Sequence, residues 1–269
     1  MSHTALQRAL VRMLYDPALV AAVYADPSCL GLGPEEQRWL TAQDPRAYAT
    51  DPHRRGRTLA ALIEELPAAS ALAARAGGAS ALDAFFSSAR FHGCIETRGS
   101  LAEAYAEHLA GLTGRERRLA PVASLEGAIA RARRARPSAR GAGLLVTAPG
   151  VVALRLCGGT LALRQAVIAA LSAHEDGLVA AVVDRSLRLP ARRLDPATPE
   201  ELLVERAADG GIGVSEGSAA LGELLRACAS PVPRDVALAE ARRHGLEPGE
   251  DAEVVDGLIT DGLLLEVSP

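Results

Sequence analysis

Apolar residues recur at helical spacing through the first 112 residues of the chain. Leu6, Leu10, Val11 and Leu14 form one stripe in TALQRALVRMLY, and Asp16-Pro17 restarts a short helix, PALVAAVYAD, that Asp26-Pro27 ends. In GPEEQRWLTAQD, Pro34 occupies a first helical turn and two glutamates follow it, an N-terminal signature. RTLAALIEEL continues into PAASALAARAGG, where Gly77-Gly78 supplies a C-terminal stop. SALDAFFSSAR carries Leu82, Phe85, Phe86 and Ala89 at i, i+3, i+4 and i+7, the stripe of an amphipathic helix. SLAEAYAEHLAGL opens with Ser100 and has Glu103 three residues later, a capping box.

From about residue 142 the period shortens. GLLVTAPGVVALRLCGG predicts two short strands joined around Pro149-Gly150, TLALRQAVIAALSAHEDG a helix, and LVAAVVD a buried strand. SLRLPARRL predicts a further strand, pushed to a sheet edge by Pro190. TPEELLVERAADGGIGVS reads two ways: Thr198, Pro199 and Glu201 start a helix over 199–208, whereas Ala208-Asp209-Gly210-Gly211 would turn a hairpin; the helix is the preferred expectation. The last stretch parses into three helices and a terminal strand, separated at Pro231 and Pro233 and again at Gly245 and Pro248, the layout of a small winged helix. The expected fold is α+β: a helical domain over 1–112, a basic helix and linker over 113–141, and an α/β region over 142–269 ending in a winged-helix-like domain.

Composition sharpens this outline. Hydrophobic residues make up 49% and charged residues 23%, a globular balance, but aromatics are only 3%, so the core must be built from Leu, Val and Ala. All three phenylalanines, Phe85, Phe86 and Phe91, fall within seven residues. Every one of the 29 basic residues is an arginine, and the net charge of −4 argues against a chain that binds polyanions as a whole. Residues 113–141 hold eight arginines and two glutamates, read as a solvated helix face with a linker, or as a patch that docks an acidic partner. No aromatics interleave there to stack bases. The four cysteines are widely spaced, no secretory signal opens the chain and no run of eighteen apolar residues occurs, so a cytoplasmic, non-membrane protein is expected.

Catalytic motifs are missing. There is no HExxH, GxSxG or Walker loop, and GGIGVSEGS has Glu216 where a dinucleotide loop needs its third glycine. His174, Glu175 and Asp176 suit a solvated helix end. His92-Gly93-Cys94 pairs two ligand-type side chains, but Cys94 reads as a buried structural thiol. Phe85 and Phe86 are expected to anchor the helical domain. Phe91 lies off their stripe beside Arg90, His92 and Arg98, which makes these four the candidate partner interface. No catalytic residue, metal ligand or cofactor is assigned to this chain.

A winged helix suggests DNA, and a transcriptional regulator with a helical sensor domain is the alternative reading. Its third helix, GEDAEVVDGLITDG, would face a polyanion with Glu250, Asp251, Glu253, Asp256 and Asp261 and no arginine, so nucleic acid is disfavoured. The stretch GVSEGSAALGELLRACAS…LEPGEDAEVVDGLITDGLLLE instead resembles the winged-helix peptide-recognition domains of ribosomal peptide biosynthesis. LYDPALVAAVYADP, LIEELPAASAL and FFSSARFHGCIETRGSLAEAYAEHL are similar to partner proteins of multinuclear non-heme iron oxidative enzymes, such as the methanobactin-biosynthesis partner subunits. The resemblance implies a non-catalytic subunit in a heterodimer with an iron-bearing enzyme, holding the leader of a precursor peptide as an added strand. It places that peptide at Ile212, Val214, Val254 and Leu258, with the acidic helix suiting a leader that contains Lys or Arg, and keeps the iron in the partner.

Overall fold

The computed structural model describes residues 3–49, 53–112, 116–136, 141, 143–207 and 209–268. It divides into two compact units, one of residues 1–127 and 164–190, the other of residues 128–163 and 191–269. Residues 113–115, 137–140 and 142 of the expected basic linker lie outside the described residues. The described part of that linker is mostly helix.

The first unit is helical: α1 (His3–Tyr15), α2 (Pro17–Ala25), α3 (Pro34–Thr41), α4 (His53–Glu65), α5 (Pro67–Gly77), α6 (Ala79–Asp83), α7 (Ala89–Thr97) and α8 (Leu101–Gly111), then the first half of α9 (Leu119–Arg134), most of α10 (Thr160–Ser172), and α11 (Leu178–Val183). The local signals act as expected. Asp16 accepts the Ala18 amide at the start of α2, Glu36 reaches back to the Gly33 amide at 2.9 Å, and Ser100 caps α8 through the Glu103 amide.

α5 is buried all round, from Pro67 through Ala74. Its first amides therefore cannot reach water. The carboxylate of Glu126 on α9, itself fully buried, takes their place: Ala69 donates to Oε2 at 2.9 Å, Ala68 to Oε1 at 3.3 Å, and Arg164 Nε to Oε1 at 3.1 Å. Burial pushes the Glu126 carboxyl above its usual range, while Arg164 and the two amides pull it down. Next to it, Gly127 lets α9 approach α8 closely, because a Cβ there would lie 2.8 Å from the Ala106 methyl.

The helix expected across SALDAFFSSAR is broken. α6 ends at Asp83, a 3-10 turn carries Ala84–Ser87, and Ser88 caps a new helix, its hydroxyl accepting the Phe91 amide. The break turns all three phenylalanines inward, where Phe85, Phe86 and Phe91 meet one another at 5.4–5.5 Å between ring centroids and Tyr105 meets Phe85 at 5.1 Å. α11 corrects the strand expected at 178–184. Its six apolar residues fit either period, and packing against α4 and α5 decides for the helix.

The second unit carries two three-stranded antiparallel sheets. In the first, β1 (Leu144–Thr147) lies between β5 (Val232–Pro233) and β6 (Leu264–Val267); in the second, β3 (Asp195–Arg206) lies between β2 (Val151–Gly158) and β4 (Ile212–Glu216). The two strands around Pro149-Gly150 therefore join different sheets. β3 corrects the helix preferred at 199–208, and the alternative, a hairpin turning at 208–211, is the one adopted: β3 pairs with β4, and Ala207 donates to the Gly211 carbonyl across the turn. Leu202 and Val204 face one side of this central strand and Leu203 the other, and all are buried, so long-range pairing outweighs the local helix start. The strand expected at SLRLPARRL does not form: β3 begins only at Asp195. α12 (Ala219–Ala227), α13 (Arg234–Arg243) and α14 (Glu250–Thr260) follow, and a core of Leu145, Leu203, Leu224, Leu225, Val255 and Leu264 joins these helices to both sheets.

Replacing Glu126 by Ala leaves the α5 amides and the Arg164 guanidinium without their buried acceptor, so a loss of about 3–5 kcal/mol is expected. Urea unfolding of the variant checks this. An unfolding midpoint equal to wild type would show that α5 does not need this acceptor.

Candidate functional site

β4 is an outer strand, and the register shows which of its backbone groups face outward. Ala207 donates to the Gly211 carbonyl at 2.8 Å and Gly217 to the Glu201 carbonyl at 2.9 Å. With the pairing Val204 to Val214, the hydrogen-bonded positions of β4 are therefore Gly213 and Ser215. Ile212, Val214 and Glu216 turn their N–H and C=O groups away from β3, to the side where, among the described residues, β4 has no neighbouring strand. Such a row of unpaired donors and acceptors is a template for one more strand.

Side chains divide differently. Ile212, Val214 and Glu216 pair directly with Arg206, Val204 and Leu202 and share their face of the sheet. Leu203, Val151 and Ala153 point the other way, into the core with α12–α14. Leu258 packs against that core, and Val254 on the same helix is 39% exposed. The four expected peptide-binding side chains thus do not share one wall: Ile212 and Val214 project from the face of the sheet opposite the one that packs on the helices. Strand alternation imposes this, and it is invisible until the register is known. The resemblance implies an added strand beside Ile212 and Val214; what the sequence hides is the pairing with β3 that makes β4 an outer strand, because the preferred helix over 199–208 leaves no strand there to pair with.

The expected partner interface is also divided. Phe91 is fully buried, which corrects its placement as a partner-facing aromatic; once Ser88 restarts the helix, the apolar side of α7 is the side that carries Phe91 and Cys94. His92 is held within the unit. Arg12 Nε donates to its Nδ1 at 2.8 Å, so its Nε2 carries the proton and donates to Asp16 Oδ2 at 3.0 Å; Asp16 also accepts from the Ser87 hydroxyl, and Arg12 reaches Glu96 at 2.6 Å. Arg90 is exposed and pairs with Glu107 at 2.6 Å. Arg98 is exposed at the end of α7 with a left-handed backbone (φ 56°) and lines a cavity of about 410 Å³ with Arg8, Val11 and Cys94. Arg90 and Arg98 keep the exposure an interface needs; Phe91 and His92 do not. Burial, and then Glu103 and Glu107, push the Cys94 thiol up, so it is a poor nucleophile. All four cysteines are free.

The basic side chains of α13 are engaged at home. Arg242 Nε donates to Asp251 Oδ2 at 2.6 Å, Arg234 pairs with Asp256, and Arg243 donates to Glu240 at 2.7 Å. Two of the five acidic groups around α14 are thereby neutralised from within. Each of the three guanidinium groups of α13 thus has an acidic partner in the same unit. Among the described residues no helix is long and apolar enough to cross a membrane. No protein-family model matches the chain, and no curated protein is significantly similar to it.

Asp251 ties α13 to α14 and sets a pH dependence. Gly249 and Ala252 donate their amides to Oδ1, each at 2.8 Å, and these bonds with Arg242 hold the carboxyl below its usual range. The unfolded chain then binds the proton more readily, so stability rises with pH through the acid range and is lost as pH falls below about 4. Asp251→Asn should flatten that slope in melts run across the acid range; an unchanged slope would assign the acid sensitivity to other carboxylates.

Proposed function

We propose that this chain is a non-catalytic partner subunit that holds a precursor peptide as an added strand along β4 and brings it to a multinuclear non-heme iron oxidative enzyme. The carrying observation is the open backbone edge of Ile212, Val214 and Glu216. Three antiparallel strands followed by three helices, with the last strand unpaired on its outer side, suit capture of an extended peptide through main-chain hydrogen bonds. The winged-helix-like character belongs to this proposal. α12, α13 and α14 with β5 and β6 make the helix and sheet set, while its middle strand, β1, comes from earlier in the chain. The peptide's own side chains would find Ile212 and Val214 on one face, so apolar residues at alternate peptide positions are favoured. The sequence resemblance supports the iron-enzyme partnership, and the exposed Arg90 and Arg98 are its candidate contacts.

Val214→Pro removes the outward N–H at the centre of the edge and leaves the bonds of Gly213 and Ser215 to β3 in place. Its affinity for the precursor peptide retained with the native complex should fall more than about tenfold, since roughly 1.4 kcal/mol corresponds to each factor of ten, while its melting temperature stays near wild type. Undiminished capture by this variant would sink strand addition at β4. Purification from the native host that returned the chain alone, without an iron enzyme, would sink the partner-subunit reading separately.

A further inference from the structure

A second site is independent of the β4 edge. Glu223 on α12 and Glu240 on α13 converge with His244, one residue beyond the end of α13 and one turn after Glu240. One ligand-type atom from each lies within 4.8 Å of the other two. His244 Nε2 is 3.1 Å from Glu223 Oε2 and 3.5 Å from Glu240 Oε1. A four-coordinate metal bound at about 2.0–2.1 Å separates neighbouring ligand atoms by about 3.3 Å, which falls between these two distances.

Direction matters as much as distance. Nε2 is shielded from solvent yet makes no hydrogen bond, although both oxygens are near. The Glu223 oxygen is close enough for a bond at 3.1 Å yet is not directed along the ring N–H, while the Glu240 oxygen at 3.5 Å stands at the limit of hydrogen-bond length. An oxygen displaced from that line is where a further ligand of a shared ion would stand. The outer oxygen of Glu240 is held by a hydrogen bond from Arg243 at 2.7 Å, a partner of the kind that orients a metal-ligating carboxylate; Arg155 lies at the longer ion-pair distance of 3.8 Å from Glu223 Oε1.

We propose that Glu223, Glu240 and His244 bind a divalent transition-metal ion, with zinc, cobalt, manganese and ferrous iron as the chemical class. One imidazole and two carboxylates suit these ions and leave the remaining positions to water. The ion would link α12 to α13 in the helical set that follows β4.

The test uses the metal-free full-length chain titrated with zinc alone by calorimetry, and with cobalt(II) followed by its visible ligand-field spectrum. One zinc equivalent is expected, with a cobalt spectrum of nitrogen and oxygen ligation and a rise in the thermal midpoint. His244→Ala should weaken zinc binding by more than about tenfold, the scale already reached when supporting groups around a metal are lost, and should abolish the thermal shift. If His244→Ala does not fold by circular dichroism, Glu223→Gln, whose side chain is 39% exposed in wild type, carries the same comparison. No zinc uptake by the wild type, uptake unchanged in the variant, or a cobalt–thiolate spectrum tracing to a cysteine would each overturn the site.

Discussion

The fully buried start of α5 is the constraint on which the helical unit depends. A helix of small apolar residues packs on every side, but its first turn presents amides that have no partner within the helix. Proline at position 67 removes one of them, and Glu126 accepts from the next two. Bringing that carboxylate in requires α9 to run close to α8, which Gly127 allows, and requires a cation beside it, which Arg164 supplies. A residue that reads as one of two acids in a basic stretch is therefore the centre of the unit. The arginine-rich segment is also not mainly a solvated connector: Leu119, Val122, Ala123 and Leu125 of α9 are buried with Glu126.

The aromatic corner works under a related constraint. With so few rings available, the unit gathers Tyr15, Phe85, Phe86, Phe91 and Tyr105 into one cluster, and Arg55 lies over the Phe86 ring at 5.1 Å. The charges beside it point inward as well. Arg12, His92, Asp16 and Ser87 form a hydrogen-bonded chain that joins α1, the start of α2 and the turn before α7, so residues that look like a ligand pair or an interface in one dimension act here as internal fastening.

In the second unit the open feature is a sheet edge. Proteins commonly blunt such edges with charge, proline or a covering segment, because an exposed ladder recruits other strands. β4 offers five residues with half-buried Ile212 and Val214, and its outward backbone groups recur at alternate residues. Meanwhile α13 and α14 are bound together by Arg242–Asp251 and Arg234–Asp256. Under the proposed function, this edge is where an extended polypeptide backbone would add as a further strand.

Much of the helical unit was legible in the sequence because its signals are local. Apolar residues three and four apart, Pro34 before two glutamates, Asp16 before Pro17 and Ser100 before Glu103 act within one turn and fold as they read. The apolar runs at 178–183 and 199–206 were not decidable locally, since helix and strand both satisfy a short hydrophobic stretch; distant packing and pairing chose the helix for one and the strand for the other. The direction in which Phe91 points depended on a break between Asp83 and Ser88, and which backbone groups of β4 face outward depended on a register that a one-residue slip would reverse. Sequence alone determined where the chain coils and caps. Only tertiary structure decided which faces are buried, which charges are answered and which edge stays open, because those depend on residues tens of positions apart meeting in space.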